Sequence, residues 1–168
     1  PIACAIETFD FAFNPQLDEA AIRELATLKF IEQHGIALLL GQTGTGKTHI
    51  ALALGAACAR AGHRVYFSSA KALIEQIAIA KHQGTLDQLF KRILSSKLWI
   101  IDDFAVTTMK REIAEEVFDL LDRRKYSTAL ILTSNRDPDE WAEVFPNAIL
   151  ANATIDRLFE HARTLIFK

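Results

Sequence analysis

Five consecutive apolar residues, Ile36–Leu40, run straight into the stretch GQTGTGKT, and an alanine-rich helical segment starts at once behind it. This junction narrows the choice of fold more than any other part of the sequence. A strand that is apolar at every position has both faces buried, whereas a half-exposed strand alternates. The same unbroken character recurs in RVYFSS (64–69), KLWIIDDF (97–104), TALILTSN (128–135) and RTLIF (163–167). Between these strands lie helical patterns at 17–33, 47–60, 70–84, 85–96 and 110–126, a short helix capped by Asp137 with Pro138 in its first turn, and a last one at 152–162. Strand and helix alternate throughout. The expected fold is α/β in three layers, a five-stranded, mostly parallel sheet with helices on both faces. With 168 residues the chain is one domain in size. We divide it into an aromatic linker over 1–16, carrying Phe9, Phe11 and Phe13, and a core domain over 17–168.

The loop itself fits G-x-x-x-x-G-K-[ST], with a strand before it and a helix after it. Its glycines let backbone N–H groups turn inward around phosphate oxygens, and the helix adds its positive end. The candidate phosphate-binding residues are Gly41, Gln42, Thr43, Gly44, Thr45, Gly46, Lys47, Thr48 and His49. Lys47 reaches the terminal phosphates, and the Thr48 hydroxyl is a Mg²⁺ ligand. The plainer reading is a glycine-rich turn with an accidental Lys-Thr. A second signal opposes it: Leu98–Ile101 deliver Asp102 and Asp103 to the carboxyl end of a buried strand, where open α/β sheets bind ligands. Asp102 is the second metal candidate and Asp103 the candidate base for an attacking water. A solvated aspartate pair capping the next loop is the competing reading. Such a pair points to a phosphate-loop ATPase with an added central strand, whose polar tip here is Thr133-Ser-Asn135. Asn135 is the candidate γ-phosphate sensor; alternatively it caps the following turn. ATP and Mg²⁺ are the expected ligands.

Taken in order, ETFDF, RELATLKFIE, LLLGQTGTGKTHIALALG, ILTSN and LANATIDRL resemble the IstB family, the AAA+ ATPases that assist insertion-sequence transposases and are close to DnaC-type helicase loaders. The resemblance covers nearly the whole chain. It implies a homo-oligomer with ATP at subunit interfaces, non-specific binding to the backbone of double-stranded DNA, and a transposase partner. It also gives Arg157 a role as the arginine that reaches a neighbour's γ-phosphate; the residues alone favour a surface pair with Asp156 or a partner for a helix-end carbonyl. Arg136 is a weaker candidate for similar duty. The family's acidic pair is often Asp-Glu, and the shorter Asp103 points to slow turnover. A glycine of the family is replaced by Ala105, a minor departure. The upstream helical domain is expected to be missing, the chain starting without Met, and the C-terminal lid is expected to be minimal or absent.

Composition adds limits. The formal charge of −2 and pI near 6.2 give no global attraction to nucleic acid. Contacts would rest on local clusters: Lys81 with His82, Lys91 with Arg92, Lys110 with Arg111, and Arg123 to Lys125. Solvated helix faces explain such clusters by default, but the resemblance ranks Lys81, Lys91 and Arg92 first. Cys4 and Cys58 lack metal-ligand spacing and read as small buried residues of a reducing, cytoplasmic compartment. No apolar stretch reaches the roughly 18 residues of a membrane span. A GTPase would carry Asn-Lys-x-Asp and a small-molecule kinase an arginine-rich lid; the sequence holds neither. Within the class, a DnaC-like replicative helicase loader is the nearest rival to a transposition helper; a non-hydrolysing DNA scaffold gated by nucleotide is a rival of another class.

Overall fold

The computed structural model describes residues 18–168. The expected linker with Phe9, Phe11 and Phe13 lies outside the described residues, as does Cys4. Strands β1 (Ile36–Gly41), β2 (Val65–Ser69), β3 (Leu98–Asp102), β4 (Ala129–Ser134) and β5 (Ala162–Phe167) form one sheet in the order β2-β3-β4-β1-β5. All four pairings are parallel. Burial on both faces holds for the central strands β3, β4 and β1, whereas the edge strands β2 and β5 leave Phe67 and Ile166 exposed because each has a neighbour on one side only. The central strands are shared between two cores by simple alternation. Ile36, Leu38 and Leu40 enter the larger core, while Ala37 and Leu39 enter the smaller one on the other face.

Helices α1 (Glu19–Ala26), α2 (Lys29–Glu32) and α3 (Lys47–Arg60) supply apolar side chains to the smaller core. Helices α4 (Ala70–Gln83), α5 (Leu86–Leu94), α6 (Arg111–Arg123) and α7 (Ala148–Phe159) cover the opposite face. Two boundaries differ from expectation. The segment 17–33 is not one helix: Leu28 takes a left-handed φ of 63° and splits it, so that Ile22 and Leu25 on one side and Phe30 and Ile31 on the other all become buried. Tertiary burial here outweighs the helical periodicity of the segment. The last helix starts earlier than expected, at Ala148, because Asn147 accepts the N–H of Leu150 at 2.9 Å and caps it there. The short helix after Asp137 is a 3₁₀-helix, Pro138–Val144, with Asp137 and Glu140 completing a capping box.

The sheet closes tightly where the glycine loop begins. Gly41 pairs with Phe167 at a φ of 143°, and a Cβ there would stand 1.9 Å from the Phe167 carbonyl oxygen. Gly41 is therefore needed by the sheet as well as by the loop. Gly41→Ala should cost on the order of 3 kcal/mol, read as a melting temperature lower by about 10 °C. A variant that melts with the wild type contradicts this close approach.

Candidate functional site

Register brings the polar strand tips to one edge. The β3–β4 pairing ends at Ile101 and Leu132, the β1–β4 pairing at Leu40 and Ser134, and Asp102 of β3 pairs with Ser69 of β2. Asp102 and Thr133 thus stand side by side where β1 releases the glycine loop. Across that junction Thr48 Oγ1 donates to Asp102 Oδ1 at 3.0 Å, although the two residues lie 54 positions apart in the chain. Thr133 Oγ1 donates to the same oxygen at 2.6 Å and accepts the N–H of Asp103 at 3.0 Å. One threonine hydroxyl therefore fixes both members of the acidic pair. Asp102 is buried, whereas Asp103 turns outward at a left-handed φ of 55°. Ala105 is left-handed too, with φ 70°, a conformation that costs an alanine more than it would a glycine.

The loop is closed on its own lysine. Lys47 is buried, and its Nζ donates to the Gln42 carbonyl at 2.6 Å and to Thr45 Oγ1 at 3.4 Å. Gly44 and Gly46 take positive φ angles of 81° and 99°, which lead the loop into the N-terminus of α3. Gln42, Thr43 and Gly44 are exposed, Thr48 opens the first turn of α3, and His49 follows half-buried. Burial lowers the Lys47 pKa, and the charges of Asp103 and Asp102 pull it back up. The converse holds for Asp103: desolvation raises its pKa, the neighbouring Asp102 adds to the rise, and Lys47 opposes it. A cation and two carboxylates thus face one another at the positive end of a 14-residue helix.

Asn135 stands exposed just past β4 and shares a cavity of about 260 Å³ with Leu40, Gly41 and Gln42. It is not the cap of the next turn, since Asp137 fills that position and accepts from Asp139 N–H at 2.9 Å. Arg136 lines the same cavity but is engaged with acids of the 3₁₀-helix. Its guanidinium is held by Glu143, by Glu140 at 3.5 Å and by the Ala105 carbonyl at 3.3 Å.

Arg157 is not brought to this edge. It lies near the C-terminus of α7, just before β5 begins, and lines a cavity with His34 and Gly35, which precede β1. Strands of six residues, each spanning about 20 Å, separate that cavity from the glycine loop of the same chain. The competing reading, a pair with Asp156, gives way to another acid: Arg157 Nε donates to Asp122 Oδ1 at 2.8 Å. Among the basic clusters, Lys81 pairs with Glu116, Arg111 with Glu115, Arg123 with Asp119, and Lys125 with Asp122. Arg124 is buried and donates to the carbonyls of His34 and Gly35. Lys91 and Arg92 are exposed on α5 and form no ion pair among the described residues. Thr133 is the residue that sequence reasoning undervalued: its place in the ILTSN tip was visible, but its hydroxyl bridge depends on strand order. Cys58 is buried and free, and no helix among the described residues is long and apolar enough to cross a membrane.

The family described as IstB-like ATP binding protein matches residues 1–168. A protein of Pseudomonas aeruginosa, named as the putative ATP-binding protein of insertion sequence IS21, is 40% identical over 168 residues, 100% of this chain and 63% of that protein. Its counterpart in insertion sequence IS5376 of Geobacillus stearothermophilus is 36% identical over 96% of this chain and 64% of that protein. The chain therefore spans a little under two thirds of these relatives. The crystal structure of the DnaC helicase loader superposes with a TM-score of 0.81 at 20% identity, covering 98% of this chain and 97% of that one. AMPPCP-bound DnaA from Aquifex aeolicus gives a TM-score of 0.82 at 21% identity, over 100% of this chain and 51% of its own. These likenesses establish the AAA+ phosphate-loop fold.

Proposed function

The chain belongs to the IstB-like ATP-binding family, and from that premise we propose that it binds ATP with Mg²⁺, hydrolyses it slowly, and assists transposition by assembling on duplex DNA and recruiting a transposase. One observation carries the reading: Thr48 and Asp102 meet at 3.0 Å on the edge where the glycine loop leaves β1. Two hard oxygen donors side by side suit Mg²⁺, which takes few protein ligands and fills its shell with water and phosphate oxygens. Thr48 and Asp102 would hold the ion there, and it would supply neutralising charge to the triphosphate.

The chain's own residues do the rest. The loop N–H groups and Lys47 hold the β- and γ-phosphates. Thr133 fixes Asp102 and Asp103 relative to each other, so that the outward Asp103 carboxylate accepts a proton from an attacking water. Asn135, on the same edge, holds that water against the γ-phosphate. Arg157 cannot serve its own site across the sheet and acts on the nucleotide of a neighbouring subunit. Lys91 and Arg92, left without ion pairs among the described residues, are the DNA-facing cations; Lys81, already paired with Glu116, ranks below them. Such contacts go to phosphates and weaken with salt.

Phosphate release from ATP, measured with and without duplex DNA, tests the proposal. Slow release that DNA accelerates, and that added salt suppresses again, is expected. No release under either condition would leave a nucleotide-gated scaffold in place of an ATPase.

A further inference from the structure

The contacts around Arg157 are more specific than a surface arginine requires. Asp122 Oδ1 takes Nε at 2.8 Å, and Glu160 takes Nη1 at 3.4 Å. The guanidinium carbon lies 5.9 Å from the centroid of the Phe118 ring, so a face of the group is also occupied. Lys125 Nζ donates to the same Asp122 oxygen at 3.2 Å, which gives the carboxylate a second anchor. Phe118 and Asp122 both belong to α6, one turn apart, so a single rigid helix presents the ring and the acid together. Arg157 Nη2 makes no hydrogen bond among the described residues. The residue lines a cavity of about 420 Å³ together with Arg124, Lys125 and His161.

We propose that Asp122 is a positioning residue: it holds Arg157 in one rotamer with its Nη2 edge turned outward, ready for the terminal phosphate of a nucleotide bound to a second copy of this chain. An arginine side chain left free explores many rotamers, and that freedom is lost when it docks. Fixing Nε and Nη1 beforehand removes most of the loss and sets the direction of the remaining donors. The acid acts through Arg157 and touches no nucleotide. The inference rests on the trans role assigned to Arg157 above, and its test separates the two.

Turnover is measured in protein assembled with ATP and duplex DNA, for Asp122→Ala, Asp122→Asn, Arg157→Ala and the double variant Asp122→Ala with Arg157→Ala. Asp122→Ala should lower kcat about tenfold with KM for ATP nearly unchanged. Asp122→Asn, which keeps one acceptor oxygen, should recover part of that loss. In the double variant the Asp122 change should add nothing to the loss from Arg157→Ala. Mixing Asp122→Ala subunits with Asp103→Asn subunits should restore turnover, because each supplies what the other lacks. Both pairs are partly exposed, so melting temperatures should stay within about 4 °C of wild type. If Arg157→Ala retains full turnover, the trans role falls and the positioning role with it. If Arg157→Ala is impaired while Asp122→Ala matches or exceeds wild type, Asp122 merely restrains Arg157 and the positioning role alone is wrong. An equal Asp122 effect with and without Arg157 overturns it as well.

Discussion

Lys47→Ala abolishes ATP binding, with affinity lowered at least about 100-fold in a calorimetric titration. Lys47 is buried at the base of the glycine loop, and its ammonium already makes hydrogen bonds to the Gln42 carbonyl and Thr45. A triphosphate arriving there replaces those neutral acceptors with anionic ones. Charge-assisted hydrogen bonds of this kind are worth about 1.5–3 kcal/mol each, so losing two of them exceeds a factor of about 100. The lowered Lys47 pKa adds a pH signature. The protonated form binds phosphate, so affinity should fall on the alkaline side at lower pH than an ordinary lysine would cause. Fold stability should barely change, since truncation also removes a buried charge. Undiminished affinity in Lys47→Ala would show that the loop does not hold the phosphates.

Asp103→Asn binds ATP as tightly as wild type and turns it over about 100- to 1,000-fold more slowly, by single-turnover phosphate release. Asparagine suits the test because Asp103 stands at a φ of 55°, a left-handed conformation that asparagine tolerates and most residues do not. A base must be deprotonated to act, and desolvation together with Asp102 raises the Asp103 pKa. Wild-type turnover should therefore begin to fall at higher pH on acidification than an unperturbed carboxylate would allow, and the residual rate of Asp103→Asn should lack that limb. Stability moves the other way. A raised carboxylate pKa in the folded state disfavours the charged form, so wild type carries a penalty at neutral pH. That penalty disappears as pH falls below the unfolded value near about 3.9. Asp103→Asn should melt no lower than wild type at neutral pH, and any advantage should vanish in acid.

The parts of this site that were legible in the sequence are those specified by local rules. A strand, a glycine loop and a helix in succession place Lys47 and Thr48 without knowledge of any other element. Leu98–Ile101 announce that Asp102 and Asp103 sit at a strand tip. What could not be read is what depends on strands and helices meeting across the chain. Thr133 bridges the acid pair because β4 lies beside β3. Arg157 pairs with Asp122, 35 positions earlier, and not with adjacent Asp156, because α6 and α7 pack side by side. On a helix, neighbours in sequence diverge, and a partner on an adjoining helix is nearer. Lys81 looked like a free cation until α4 met Glu116 of α6. The break at Leu28 was hidden for the same reason: periodicity reports which residues want burial, while the turn that buries them is set by the surface beneath.

Asp103→Asn also offers a direct view of the site, since a stalled enzyme retains its substrate. A crystal structure of this variant with ATP and Mg²⁺ should show the γ-phosphate within reach of Lys47 Nζ, the cation between Thr48 Oγ1 and the Asp102 side, and the introduced amide facing the γ-phosphorus. Triphosphate bound away from the glycine loop, or a cation remote from Thr48 and Asp102, would contradict the account.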